Sequence, residues 1–395
     1  MKKIELLSPA GDLERLKVTL LYGADAVYIG GQEYSLRANA TNFSLKEIKE
    51  ACTFAHNLKK KVFLTMNIVF HDEDMDGVEE YIHSVVECGI DAFIVSDPFL
   101  IEKIKEKYPQ VEVHLSTQHS TMNVKTAEYF KEQGVDRIVL ARELSMMDIK
   151  EIIDKTGLDI EVFVHGAMCT CLSGRCTLSN YITNRDANRG GCSQVCRFAF
   201  STEDDEEFTM ASKDLNLAEH VKDMIDIGIT SLKVEGRMRS LYYLATVIGS
   251  YRKLIDHIYE NTITKEITEK QKEILGRVAN RETSTQFFLT DADIDDQYFT
   301  GRMEISNQDY LGLITGYDEE LKCLILREKN YFEQGDVVEI FTPNGDVYPH
   351  TINEIYDSNL ELTDVARHPE EELRIPFDYK LEPYSMIRLI HKNRK

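Results

Sequence analysis

Residues 111–141 read VEVHLSTQHSTMNVKTAEYFKEQGVDRIVLA. Val111 to Leu115 is a short β-branched or apolar run, too short for a helix, and reads as a buried parallel strand. Val124, Ala127 and Phe130 then recur at helical spacing, and Gly134 stands in the position that terminates a helix. Arg137 to Ala141 resumes the strand pattern. The stretch describes a strand, a helix and a second strand, which is the repeating unit of a parallel sheet.

Outward from this unit the pattern recurs. Ile4 to Leu7, Ala26 to Ile29, Val62 to Met66, Ala92 to Ser96, Ile160 to Val164 and Ser231 to Val234 read as further strands, and Leu13, Leu16 and Leu20 mark the first helix. Seven or eight units in about 250 residues favour an α/β fold of the irregular (β/α)8, TIM-like barrel type. A doubly wound dinucleotide fold is disfavoured, because no glycine-rich fingerprint follows the first strand. Phe208 to Ala211 is a ninth strand candidate, and the sequence does not decide whether it or Ser231 to Val234 closes the barrel. The last crossover helix carries Leu244, Val247, Ile248, Tyr251, Leu254, Ile255 and Ile258 on one apolar face.

The expected organisation is a barrel over 1–262 with a cysteine-rich loop at 165–199, a helical linker over 263–297, and a small all-β barrel or sandwich over 298–395. In the last segment Tyr310 to Thr315, Cys323 to Arg327, Val337 to Phe341, Thr351 to Tyr356 and Met386 to Leu389 alternate with turn signals such as Asn344-Gly345. Such an appendage either orients a macromolecular substrate or packs on the first domain.

The composition of the 395 residues, 43% hydrophobic and 29% charged, excludes disorder, collagen and coiled coil. Met1-Lys2-Lys3-Ile4-Glu5 contains no apolar signal core, and no uncharged run approaches the roughly 18 residues of a membrane span, so a cytoplasmic protein without membrane partners is expected. The net charge of −22, from 46 basic and 68 acidic residues, repels polyanions. Contact with nucleic acid therefore needs a locally basic patch.

Of eight cysteines, Cys52, Cys88 and Cys323 are scattered and read as small buried residues. Cys169, Cys171, Cys176, Cys192 and Cys196 instead cluster just after His165-Gly166-Ala167, beyond the carboxyl end of a strand, where barrel enzymes build active sites. The spacings are Cys-x6-Cys, Cys-x15-Cys and Cys-x3-Cys, with Cys171 interposed. Four thiolates satisfy either tetrahedral zinc or an iron-sulfur cluster, and spacing alone leaves the two equal. The same loop holds Arg175, Arg185, Arg189 and Arg197 against the single acid Asp186. It is either the surface for an anionic substrate or nucleic-acid backbone, or a solvated face.

Other strand ends carry polar residues: Arg37 and Asn42, Asn67, Ser116-Thr117-Gln118, Arg142-Glu143, Lys213-Asp214, and Lys233 to Arg237. Taken as a set they suggest a pocket for a small multiply charged anion, with Arg37, Asn67, Arg142, His165, Lys213 and Arg237 as its binding residues. No general acid or base can be assigned; His165 and Glu235 are candidates by position alone. No His-Glu-x-x-His pair and no Gly-x-Ser-x-Gly elbow is present. A cysteine nucleophile paired with His165 is conceivable, but a thiol among other thiols is better explained as a ligand.

Glu161-Val162-Phe163-Val164-His165-Gly166-Ala167-Met168-Cys169 and Gly174-Arg175-Cys176-Thr177-Leu178-Ser179 resemble the signature of the collagenase-like peptidases of unknown catalytic type, family U32. The resemblance spans the chain. It runs from Ser8-Pro9-Ala10-Gly11 and Ser35-Leu36-Arg37-Ala38 through Cys192-Ser193-Gln194-Val195-Cys196-Arg197 and Ser212-Lys213-Asp214-Leu215 to Lys233-Val234-Glu235-Gly236-Arg237-Met238. One barrel with a short β domain is similar to the family's prephenate-dependent tRNA uridine hydroxylases, which make 5-hydroxyuridine at the wobble position of the anticodon loop. Other members hydroxylate ribosomal RNA or serve ubiquinone hydroxylation. The resemblance implies a 4Fe-4S cluster on Cys169, Cys176, Cys192 and Cys196, with prephenate as co-substrate, and it leaves room for a paralogous or electron-donor protein partner. Cys171 departs from the family pattern. A collagenase-like peptidase, or a hydroxylase of another RNA or a small aromatic substrate, is the alternative activity.

Overall fold

The computed structural model describes residues 3–36, 42–279, 281–298 and 309–391. Eight parallel strands form the first domain: β1 Glu5–Pro9, β2 Ala26–Gly30, β3 Lys61–Met66, β4 Ala92–Val95, β5 Glu112–Leu115, β6 Arg137–Val139, β7 Asp159–Gly166 and β8 Ser231–Val234. Neighbours in sequence are neighbours in the sheet, and β8 pairs with both β7 and β1, so the sheet closes on itself as a TIM-like barrel. Ser231–Val234 is therefore the closing strand. Phe208 belongs instead to a two-residue hairpin strand pairing Phe200–Ser201.

The irregularity lies between β7 and β8. There the chain makes the cysteine loop and returns through Asp214–Asn216, which runs antiparallel to the end of β7 and is flanked by Thr283–Ser284. Strands and helices form where local chemistry favours them. Every residue of β7 after Asp159 is buried, as expected of a strand covered on both faces. Helix α1 spans Leu13–Leu21, α2 Leu45–Asn57, α3 Val78–Glu87, α4 Pro98–Lys107, α5 Val124–Glu132, α6 Met146–Thr156, α7 Leu178–Thr183 and α8 Val221–Asp226. Ser44 with Glu47 and Ser145 with Asp148 close capping boxes on α2 and α6, and Asn123 caps α5.

A barrel interior is usually filled by branched aliphatics. This one holds a charge network. Glu161 on β7 accepts hydrogen bonds from Arg137 Nη1 (3.0 Å) and Lys233 Nζ (2.7 Å), while Glu5 accepts from the same Arg137 nitrogen (2.5 Å) and from Ser231 (2.9 Å). Two carboxylates face two cations, which satisfies the condition for tolerating buried charge.

After β8, α9 (Leu241–Tyr259) crosses back and α10 (Lys265–Val278) packs on it. An antiparallel sheet follows, including Tyr310–Asp318, Cys323–Glu328, Val337–Phe341, Val347–Thr351, Glu372–Pro376 and Met386–His391. It has its own core around Leu324, Leu326, Val338 and Ile375, whereas Leu313, Phe341 and Met386 join the core of the barrel domain. Tyr22 Oη donates to Tyr384 O at 2.9 Å, and the rings of Tyr242 and Tyr310 stack at 4.8 Å. The β domain is thus packed onto the flank formed by α1 and α9. No helix among the described residues is long and apolar enough to cross a membrane.

Candidate active site at the cysteine loop

A cleft of about 1050 Å³ opens at the carboxyl ends of the barrel strands. Tyr28, Thr65, Ile94, Phe163 and Lys233 rise from inside the barrel as its floor. Asn67, Gln118, Arg142 and Arg237 stand at its walls, and Cys169, Cys171, Cys176, Cys192 and Cys196 all border it.

The cations are held in place by the fold. Lys233 Nζ lies 4.5 Å from the centre of the Tyr28 ring and 5.4 Å from that of Phe163, so the floor offers a charge between two flat apolar faces. Burial lowers the Lys233 pKa, and Glu161 opposes that loss. The Arg142 guanidinium sits 3.8 Å over the Phe163 ring and donates to Ala167 O at 2.7 Å. Its buried Nε has no hydrogen-bond partner among the described residues. Arg237 donates to Ser35 Oγ, Leu36 O and Asn42 Oδ1 at 2.8–2.9 Å. Gly30 makes this approach possible, since a Cβ there would stand 2.1 Å from Arg237 Nη2. Asn67 Nδ2 donates to Ser116 Oγ at 3.2 Å.

The cysteine loop is an ordered excursion of short turns and one six-residue helix, α7 (Leu178–Thr183). Glu143 accepts from the backbone N–H and the hydroxyl of Ser173, at 2.6 and 2.8 Å, and so holds that residue at a φ of 48°. Asn188 clamps Cys176 through both backbone groups, at 3.2 and 2.9 Å. Arg189 forks onto the Asp74 carboxylate and donates to Val69 O, which ties the loop to the segment after β3. That fork is also the main reason the Asp74 carboxyl is held down at about 2.

The donor set fits a thiophilic cofactor. The backbone N–H groups of Leu178 and Gln194 donate to the sulfurs of Cys176 and Cys192, each at 3.4 Å, an arrangement that tunes thiolate ligands in cluster proteins. Burial, followed by a hydrogen bond with Cys176, pushes the Cys171 thiol up to about 12, and burial also raises Cys196. No three His, Cys, Asp or Glu side chains among the described residues converge closely enough to hold one metal ion.

Several expected site residues meet here and several do not. Asn67, Arg142, Arg237 and Glu235 border the cleft. Arg37 lies outside the described residues. Lys213 is directed to Glu282 at 2.9 Å, away from the cleft lining. His165 is buried beside Tyr243 and Tyr251, and burial, reinforced by Arg239, lowers its pKa to about 3, so it stays neutral and does not face the cleft. Among the loop arginines, Arg185 is exposed, and Arg175 Nε donates to Gln118 O at 2.6 Å. Arg197 is buried 3.8 Å from Asp214. Arg189 and Arg197 are thus engaged by acids rather than presented as an open basic face.

The sequence reading missed the aromatic floor and two further cations, Arg239 and Arg281. Phe163 alternates with Glu161 along β7, so the two-residue period could have placed it inside; Arg281 carries no local signal.

Comparison with known proteins places most of the chain in one family. The profile of Peptidase family U32 matches residues 11–298 and that of the family's C-terminal domain matches 306–388. The chain is 44% identical to "tRNA hydroxylation protein P1" of Bacillus subtilis (strain 168), covering 98% of this chain and 95% of that one. It is 39% identical to "23S rRNA 5-hydroxycytidine C2501 synthase" of Escherichia coli (strain K12) over 65% of this chain and 40% of that one. It is 29% identical to a "Collagenase" of Porphyromonas gingivalis (strain ATCC BAA-308 / W83), covering 96% of each.

Proposed function

We propose that this chain, which belongs to Peptidase family U32, is an RNA hydroxylase that converts the wobble uridine of tRNA to 5-hydroxyuridine, with prephenate as co-substrate and a 4Fe-4S cluster on Cys169, Cys176, Cys192 and Cys196. The observation that carries the reading is one cleft bordered by clustered thiols together with Arg142, Arg237 and Lys233. Prephenate is a cyclic dicarboxylate. Arg142 and Arg237 suit its two carboxylates, with Lys233 beside them at the floor, and Phe163 and Tyr28 suit its ring. When bound, the cluster supplies one-electron chemistry. The protein's own contribution is to hold the anion, shape the cleft and limit the water that enters it.

Two features support RNA as the larger substrate. The relatives include proteins named for tRNA hydroxylation and for an rRNA hydroxycytidine. Tyr181 on α7 is 84% exposed with Leu172 and Phe198 also exposed nearby in the loop, and such exposed rings stack the unpaired bases of RNA loops. Peptidase chemistry fits less well, because no histidine among the described residues borders the cleft to activate a thiol.

The test is nucleoside analysis of tRNA and rRNA from a strain lacking the gene, with complementation. Loss of 5-hydroxyuridine from tRNA is expected. Unchanged RNA nucleosides, together with casein or gelatin cleavage by metal-free protein, would refute the reading. Anaerobically purified protein holding zinc, without iron and acid-labile sulfide, would refute the cluster.

A further inference from the structure

A second groove, of about 1200 Å³, opens on the outer side of the cysteine loop. It shares Arg142, Cys169, Cys192, Cys196 and Glu235 with the deep cleft, so the two openings meet at the thiols. Its far wall is made by Arg197, Arg239 and Arg281. All three reach one carboxylate, Asp214, at 3.8, 3.0 and 3.3 Å. Asp214 is itself buried at the start of the short strand that runs back along β7.

Three guanidiniums around one carboxylate are more than an ion pair requires. Arg142 borders the same groove, so four guanidiniums gather here in a chain whose net charge is −22. Cations held this close repel one another, and the arrangement is favoured when a further anion enters between them. Arg239 is also stacked on Tyr243, its guanidinium 5.0 Å from the ring centre, which fixes its fork. Planar forks in fixed positions suit phosphate oxygens.

We infer that this groove binds an RNA phosphodiester next to the target nucleotide, so that the base enters the deep cleft while its backbone stays outside at the arginines. The inference rests on the RNA reading and adds where the backbone lies. An enzyme acting on a base must take that base out of its stack, and a clamp on the adjoining phosphate holds it there. The small anion, at Arg237 and Lys233, and the RNA, at Arg197, Arg239 and Arg281, then approach the thiols from two sides, with Arg142 bordering both openings.

The probe is a fluorescent anticodon stem-loop with uridine at the wobble position, bound to anaerobically purified holoprotein and followed by anisotropy across salt concentrations. Arg281→Gln and Arg239→Gln are each expected to weaken binding and to lower the salt slope by about 1, whereas Arg281→Lys keeps most of the slope. Iron and sulfide content and the melting temperature are measured on each variant. A stem-loop carrying a neutral methylphosphonate at the linkage beside the wobble uridine should weaken binding to unaltered protein in the same way, which keeps the test sound if a variant misfolds. Glutamine variants with full affinity and slope, or neutral linkages on either side of the uridine that cost nothing, would overturn the groove while leaving the RNA reading intact. Loss of iron with unchanged RNA affinity would also overturn it, by showing that the arginines serve the cluster. Unaltered protein that binds no stem-loop would overturn the RNA reading itself, and the groove with it.

Discussion

Glu161→Gln tests whether the charges inside the barrel are a balanced network. Glu161 is wholly buried and accepts from both Arg137 and Lys233, and despite the opposing effect of burial these cations hold its carboxyl at about 2 against an ordinary 4.5. That difference corresponds to about 3 kcal/mol at neutral pH. Glutamine keeps the shape and removes the charge, so Lys233 is left buried without its carboxylate, and breaking such a pair costs about 3–5 kcal/mol. At about 2–4 °C per kcal/mol for a domain of this size, the barrel should melt roughly 6–20 °C lower. The pH dependence comes from the direction of the shift. A carboxyl whose folded pKa is depressed contributes fully above its unfolded value of 4.5 and loses that contribution as pH falls toward about 2. The gap between wild type and variant should therefore be widest near neutrality and close in acid. Denaturant unfolding followed at several pH values is the assay, with affinity for the proposed co-substrate prephenate as a second readout, because Glu161 opposes the lowering of the Lys233 pKa by burial. A variant within about 1 kcal/mol of wild type at pH 7 would refute the network. So would a gap that persists unchanged in acid.

The remaining expectations concern the loop. Arg189→Ala should loosen the loop, seen as faster proteolysis between α7 and the Phe200 hairpin and as easier loss of iron, because its guanidinium is engaged by Asp74. Arg185→Ala, at an exposed position, should leave the loop ordered and lower the salt slope of stem-loop binding by about 1. Cys171→Ser should retain iron and acid-labile sulfide, whereas Cys192→Ser should lose both, as read by metal and sulfide analysis of anaerobic protein. Tyr181→Ala should weaken stem-loop binding by about 1–3 kcal/mol without changing the melting temperature or prephenate affinity, since the ring is exposed.

The barrel was legible in the sequence because a parallel strand covered on both faces is apolar on both, and its run can be seen without knowing its neighbours. The closing strand was not. Phe208 to Ala211 and Ser231 to Val234 are similar runs, and only the pairing of the latter with β1 and β7 distinguishes them. His165 shows a finer limit. In a regular strand it would join Glu161 and Phe163 on the inner face. The β7–β8 ladder instead shifts register, with Lys233 opposite Phe163 and Val234 opposite His165, so Val164 is an extra residue. A bulge of this kind re-aims the side chains beyond it, and the imidazole packs against Tyr243 and Tyr251 from α9. The loop arginines fail for a third reason. Their local count shows a basic segment, but the acids that engage Arg189 and Arg197 come from Asp74 and Asp214, outside the loop.

On the proposed RNA reading, an acidic chain needs its cations sorted by place, and they are distributed in that way. On the barrel's outer helices lysines are neutralised within a turn, as in Lys150–Asp154, Lys155–Glu151 and Lys222–Asp226. At the mouth, Arg142 and the three arginines around Asp214 are gathered along one groove. On that reading a polyanion is repelled by the net charge and meets its cations at the cysteine loop, which favours encounters with the mouth facing the RNA. Salt screens the repulsion as well as the attraction. The salt slope for the whole protein should therefore understate the number of phosphates held, and differences between single variants measure those contacts more faithfully than the slope of the parent protein does.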